Sequence, residues 1–135
     1  KKIGLSISDR LLIIASPLKT IKRKKFSAEI AHLSKIIIDL NVGALVIGLP
    51  LNLDNSEGPR SQSARDFASN ILKQIDIPIS FWDERLSTVA VNRVLISEID
   101  MSRKRRGEII DKVAATYILQ GALDTLNRIQ SQLLE

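Results

Sequence analysis

Asp83-Glu84-Arg85 follows the apolar run Ile77–Trp82 without a break, so two carboxylates and a guanidinium stand at the end of a predicted strand. Carboxylate oxygens hold hard divalent cations, and an arginine fork holds a phosphate or carboxylate. Adjacent strand residues point to opposite faces, so at most one of Asp83 and Glu84 faces a given site. An ordinary charged turn closing the strand is the structural alternative. Asp111 is the next acid of interest, placed in the first turn of a predicted final helix, where the helix dipole also favours it. It flanks an apolar stripe of Ile110, Val113, Ala114, Tyr117 and Ile118. Two basic runs complete the inventory: Arg103-Lys104-Arg105-Arg106, just before that helix, and Lys22-Arg23-Lys24-Lys25. Each run alone reads as solvated charge. Together with the acids they fit phosphodiester chemistry, in which cations hold phosphates and carboxylates hold metal.

The elements that must position these groups fit one domain of 135 residues. Its composition, 44% hydrophobic and 26% charged, is that of a folded chain. The absence of cysteine excludes disulfides, thiolate metal sites and thiol nucleophiles, and a single histidine excludes multi-histidine zinc centres. The net charge of +5 favours an anionic partner such as nucleic acid. No apolar run approaches the roughly 20 residues of a membrane span, and Lys1-Lys2 leads into alternating residues with no signal-peptide pattern. Neither a P-loop nor a dinucleotide-binding glycine fingerprint occurs. His32 reads as structural, and Phe81 and Trp82 as core in preference to a base-stacking platform.

Strands alternate with helices. Residues 3–8 and 11–15 read as an antiparallel hairpin, the second strand ended by Ser16-Pro17. Ser27 is placed to cap a helix with the stripe Ile30, Leu33, Ile37 and Leu40, stopped by Asn41 and Gly43. Ala44–Ile47 reads as a central strand buried on both faces, ending in Gly48-Leu49-Pro50. Pro59 opens a helix that buries Ala64, Phe67, Ala68, Ile71 and Ile75. After the strand at 77–82, Ser87 or Thr88 caps a helix to about Ile96, and a long helix runs from about Glu108 to Leu133. Helical crossovers predict that strands 44–48 and 77–83 lie parallel in one mixed sheet with helices on both faces.

Lys2–Asp9, Ala15-Ser16-Pro17-Leu18, Val46–Asp54, Ser56–Arg60, Asp83–Thr88, and Asp111–Ala115 with Ile118–Gly121 form a series of blocks in order along the chain. Together they resemble the YqgF (RuvX) family of pre-16S rRNA nucleases, also described as Holliday-junction-resolvase-like. The resemblance implies a ribonuclease H-like α/β fold, a mixed sheet flanked by helices, over a single domain at 1–135. It implies a bacterial cytoplasmic enzyme that trims the 5′ end of precursor 16S ribosomal RNA. By the same resemblance Glu84 and Asp111 are catalytic metal ligands, with Asp83 the alternative to Glu84, and Arg60 and Arg85 lie near the substrate. Two Mg²⁺ or Mn²⁺ ions about 4 Å apart would sit on these carboxylates, while Arg103, Lys104, Arg105 and Arg106 track the nucleic-acid backbone. Family members carry a first strand with Asp-x-Gly ahead of the segment that begins here at Lys2-Ile3-Gly4. The expectation is therefore an N-terminally incomplete domain that lacks this strand and its aspartate, with an unpaired or filled sheet edge beside the hairpin. Glu84 and Asp111 are expected to converge. Branched DNA is the alternative substrate to precursor ribosomal RNA, and a non-catalytic nucleic-acid-binding module is the alternative function. A structural or protein-interaction domain is the third class.

Overall fold

The computed structural model describes residues 2–23, 26–52, 54–83 and 103–134. They form a mixed α/β chain of four strands and three helices: β1 (Lys2–Ser8), β2 (Ala15–Lys22), α1 (Phe26–Asp39), β3 (Leu45–Leu49), α2 (Pro59–Gln74), β4 (Ile79–Asp83) and α3 (Arg103–Leu134). Two compact units result, one spanning Lys22–Asp83 and the other joining Lys2–Ile21 to α3. Among the described residues the strands make two two-stranded sheets, β1–β2 and β3–β4, where the sequence predicts one mixed sheet. The helix predicted between Ser87 and Ile96 lies outside the described residues.

In the first unit, α1 stops where its sequence says it should. Asn41 adopts the left-handed conformation at φ 54°. Its amide donates to Ile38 O, and the Val42 amide reaches back to Ile37 O, the double bond pattern of a Schellman stop. Asparagine tolerates this conformation because its short polar side chain bonds locally. Gly43 plays no such part, since no glycine has a positive φ among the described residues. Ser27 falls inside the first turn of α1 and not at its cap, because the helix begins at Phe26. Ile30, Leu33 and Ile37 are buried, whereas Leu40, beyond the helix end, is 45% exposed.

α2 begins at Pro59, whose missing N–H is no loss in a first turn, and buries Ala68 and Ile71. Full burial of Ile71 is worth about 2–3 kcal/mol of apolar transfer. β3 and β4 are parallel in the register Leu45↔Ile79, Ile47↔Phe81 and Leu49↔Asp83. β3 is not buried on both faces as its apolar run suggests: Leu45–Gly48 are half-buried and only Leu49 is buried.

In the second unit, the hairpin differs from its sequence reading. The second strand is Ala15–Lys22 and not residues 11–15. Asp9 explains the shift: its carboxylate Oδ1 accepts the amides of Ile13 (2.8 Å) and Ile14 (3.1 Å). Those amides are then unavailable to a ladder, and Leu11–Ile14 become a turn. Pro17 does not end the strand, because among the described residues β2 has an open edge, where a missing N–H costs no ladder bond. The loop Asp9–Ile14 is too short for a parallel crossover, so the pair is antiparallel as expected. Among the described residues β1 pairs with β2 alone.

α3 packs on this hairpin. Gly4 leaves room for the Asp111 backbone, and one strand repeat on, Ser6 Oγ donates to Ala115 O at 2.9 Å. Farther along, Gln120 Oε1 accepts the Ala15 amide (2.8 Å) while its Nε2 donates to Ile13 O (2.7 Å). Asn127 Nδ2 donates to Leu12 O at 2.8 Å. The buried face accordingly includes Ile118 and Leu123, and Tyr117, predicted on the buried stripe, is 46% exposed.

Candidate functional site

β3 and β4 run in the same direction and end in register at Leu49 and Asp83. The loop 50–58 follows β3 in the chain, and in the sequence Glu84-Arg85 follows Asp83. In parallel α/β arrangements this carboxyl end is where ligands are met.

The loop is internally organised. Leu51 and Glu57 bridge at its base, and the Asn52 amide donates to Ser56 O. At the tip, Asn55 sits at φ 70°. Asp54 Oδ1 accepts both the amide (3.0 Å) and the hydroxyl (2.5 Å) of Ser56, which holds the Asp54 carboxyl below the usual aspartate range. Ser61, fully buried in the first turn of α2, donates its hydroxyl to Pro50 O. A buried hydroxyl without a partner would cost about 1–3 kcal/mol, so this bond fixes the start of α2 to the end of β3. Arg60, next to Ser61, is exposed at that helix start.

Arg65 closes the arrangement. Its Nε and Nη2 donate to Glu57 Oε1 (2.5 Å) and Oε2 (2.8 Å). Its guanidinium carbon also lies 4.9 Å from the Phe81 ring centroid. The paired bonds hold Glu57 below the ordinary glutamate range and raise Arg65 further. Sequence reasoning missed Ser61, Glu57 and Arg65; the available signal was the i, i+8 spacing of opposite charges across a Pro-led helix start.

The predicted residues fall as follows. Asp83 is exposed at the last position of β4, and Asp111 is half-buried within α3. They belong to different units. Glu84 and Arg85 lie outside the described residues, so the expected convergence of Glu84 with Asp111 does too. Arg103–Arg106 form the first turn of α3 and do not precede it as a loop. In the second basic run, Arg23 Nε is 3.4 Å from the Glu29 carboxylate, whose side chain is 3% exposed, and its guanidinium carbon is 5.6 Å from the Phe67 centroid. Arg23 thus serves the fold, and Lys24 and Lys25 lie outside the described residues. Among the described residues no three His, Cys, Asp or Glu side chains gather to hold a metal ion. No helix among them is long and apolar enough to cross a membrane.

Residues 1–125 match the family model RuvX, described as Holliday junction resolvase. The chain belongs to the RuvX family. RuvX-type relatives named "Putative pre-16S rRNA nuclease" align along nearly all of it. That of Roseobacter denitrificans is 57% identical over 132 residues, covering 96% of this chain and 80% of the relative. That of Paracoccus denitrificans is 58% identical over 126 residues, covering 93% and 79%. The Rhodospirillum rubrum protein is 51% identical over 128 residues, covering 95% and 80%. The RuvX match spans β1 through most of α3, and so includes Asp83, Glu84 and Asp111 together.

Proposed function

We propose that this RuvX-family protein is a nuclease of ribonuclease H-like fold that trims the 5′ end of precursor 16S ribosomal RNA in the cytoplasm. The observation that carries the reading is the in-register carboxyl end of β3 and β4, where Asp83 stands level with Leu49, with Glu84-Arg85 next in the sequence. The family match, with relatives bearing the nuclease name, supports the same reading.

The donors on offer are carboxylate oxygens with no cysteine in the chain, which suits Mg²⁺ or Mn²⁺. Glu84 and Asp111 are the proposed ligands, with Asp83 the alternative. Such ions would supply an activated water and charge neutralisation at the leaving oxygen. The chain's own residues do the rest. Arg60, exposed at the start of α2, and Arg85, next to the acids, would bind the phosphates flanking the scissile bond. Arg103, Lys104, Arg105 and Arg106 would follow the backbone without reading sequence.

The family description favours a second substrate, branched DNA, on which the same acids would act. The test is cleavage of precursor 16S rRNA and of a four-way DNA junction in Mg²⁺ and Mn²⁺, comparing wild type with Glu84→Gln. Cleavage of the RNA that Glu84→Gln abolishes supports the proposal. Cleavage confined to the junction transfers the activity to branched DNA. Salt-dependent binding of RNA without cleavage of either substrate identifies a non-catalytic binding module.

A further inference from the structure

The Glu57–Arg65–Phe81 contact has no evident purpose as a stabiliser. Both charged side chains are about two-fifths exposed, at 42% for Arg65 and 40% for Glu57. Exposed ion pairs contribute little to folding. Its geometry is nonetheless more constrained than a surface pair requires. Two parallel N–H donors engage both carboxylate oxygens, and the ring face of Phe81 fixes the guanidinium plane from another direction.

What it joins is informative. Glu57 stands at the bridged base of the loop that follows β3. Phe81 precedes Asp83 by two residues on β4, so the two share a strand face. Arg65 itself lies one turn beyond Ser61, whose buried hydroxyl already ties α2 to Pro50. One side chain therefore touches the loop after β3 and the strand that delivers the acidic motif.

We propose that Arg65 is a positioning residue, holding the carboxyl end of β4, where Asp83 stands, in register with Glu57 at the base of the loop that follows β3. The role rests on the nuclease reading above and deepens it. Lysine would keep the charge and lose both the fork and the flat stacking face.

The experiment compares the full chain with Arg65→Lys, Arg65→Ala, Glu57→Ala and the Arg65→Ala/Glu57→Ala double variant. Three quantities are measured: kcat and KM for precursor 16S rRNA cleavage, melting temperature, and the Mn²⁺ midpoint for thermal stabilisation. Arg65→Lys should lower kcat about tenfold with KM within about twofold of wild type, since small misplacements of reacting groups act on turnover. The double variant should be no worse than the poorer single variant, because both remove one linkage. Arg65→Ala should move the Mn²⁺ midpoint to higher concentration while melting only slightly earlier. Unchanged kcat in Arg65→Lys overturns the proposal, as does a loss that simply follows melting temperature across the set. If wild type and Glu84→Gln fail alike to cleave, the nuclease reading falls. The Mn²⁺ midpoint then decides for Arg65: a shift supports its positioning role, and coincident midpoints overturn it.

Discussion

Gly4 of β1 lies so close to the main chain of Asp111 that a Cβ at residue 4 would overlap the Asp111 carbonyl. The neighbour is backbone within a 32-residue helix, which cannot swing aside as a long side chain would. Gly4→Ala should therefore destabilise by about 3 kcal/mol, the upper end of overpacking costs. Denaturant unfolding measures it, and wild-type stability in the Gly4→Ala variant would mean that α3 does not seat on β1.

Gln120 offers a second test of the same packing. Replacing it with alanine removes both hydrogen bonds to the hairpin backbone, leaving the Ile13 carbonyl to water and the part-buried Ala15 amide without its acceptor. The expected loss is about 1–3 kcal/mol. Gln120→Glu should do as badly, because a carboxylate can accept from Ala15 but cannot donate to Ile13. Equal stability of Gln120→Glu and wild type would contradict the bidentate geometry.

The turn at Asp9 predicts a pH response. Amide donors from Ile13, and then Ile14, lower the Asp9 pKa below its ordinary value. Its contribution is fully present above the unfolded aspartate range and is lost as pH falls through the lower folded value, below about 4. Asp9→Asn keeps an acceptor oxygen and should abolish the titration while largely keeping the turn. NMR shifts of the Ile13 and Ile14 amides against pH report it. Amide shifts that follow an unperturbed aspartate curve would refute the capping.

The basic first turn of α3 predicts effects of opposite sign. Cations at a helix N-terminus oppose the dipole, and this turn carries no acid. Lys104→Gln with Arg105→Gln should stabilise the fold by about 0.3–1 kcal/mol per site. The same change should weaken RNA binding, reducing the slope of log K against log salt by about 0.7 per lost contact on a single strand. An unchanged slope would make the run a solvated surface and nothing more.

Local rules are legible where the chain obeys them locally. Asn41 stops α1, Pro59 starts α2, and the helical crossover sets β3 and β4 parallel. The hairpin misleads because Leu11–Ile14 is apolar enough for a strand, yet the Asp9 carboxylate captures two of its amides. Composition cannot reveal such competition. Helical spacing alone puts Tyr117 on the buried stripe. The helix instead turns toward Gly4 and Ser6, small residues whose significance needs the partner element in view. Asp83 is readable from its place at a strand end, which exists, whereas Arg60 enters only through the family resemblance. Arg65 is harder to read, because its two contacts lie eight and sixteen residues away and only the charge spacing to Glu57 points to one of them.

Because the Ala15 amide bonds to a side chain of α3, its exchange with deuterated solvent reports the lifting of that helix from the hairpin. Comparing its protection with that of amides within the β1–β2 ladder would separate helix undocking from strand opening. One proton thus serves as a clock for the stability of the surface that carries Asp111.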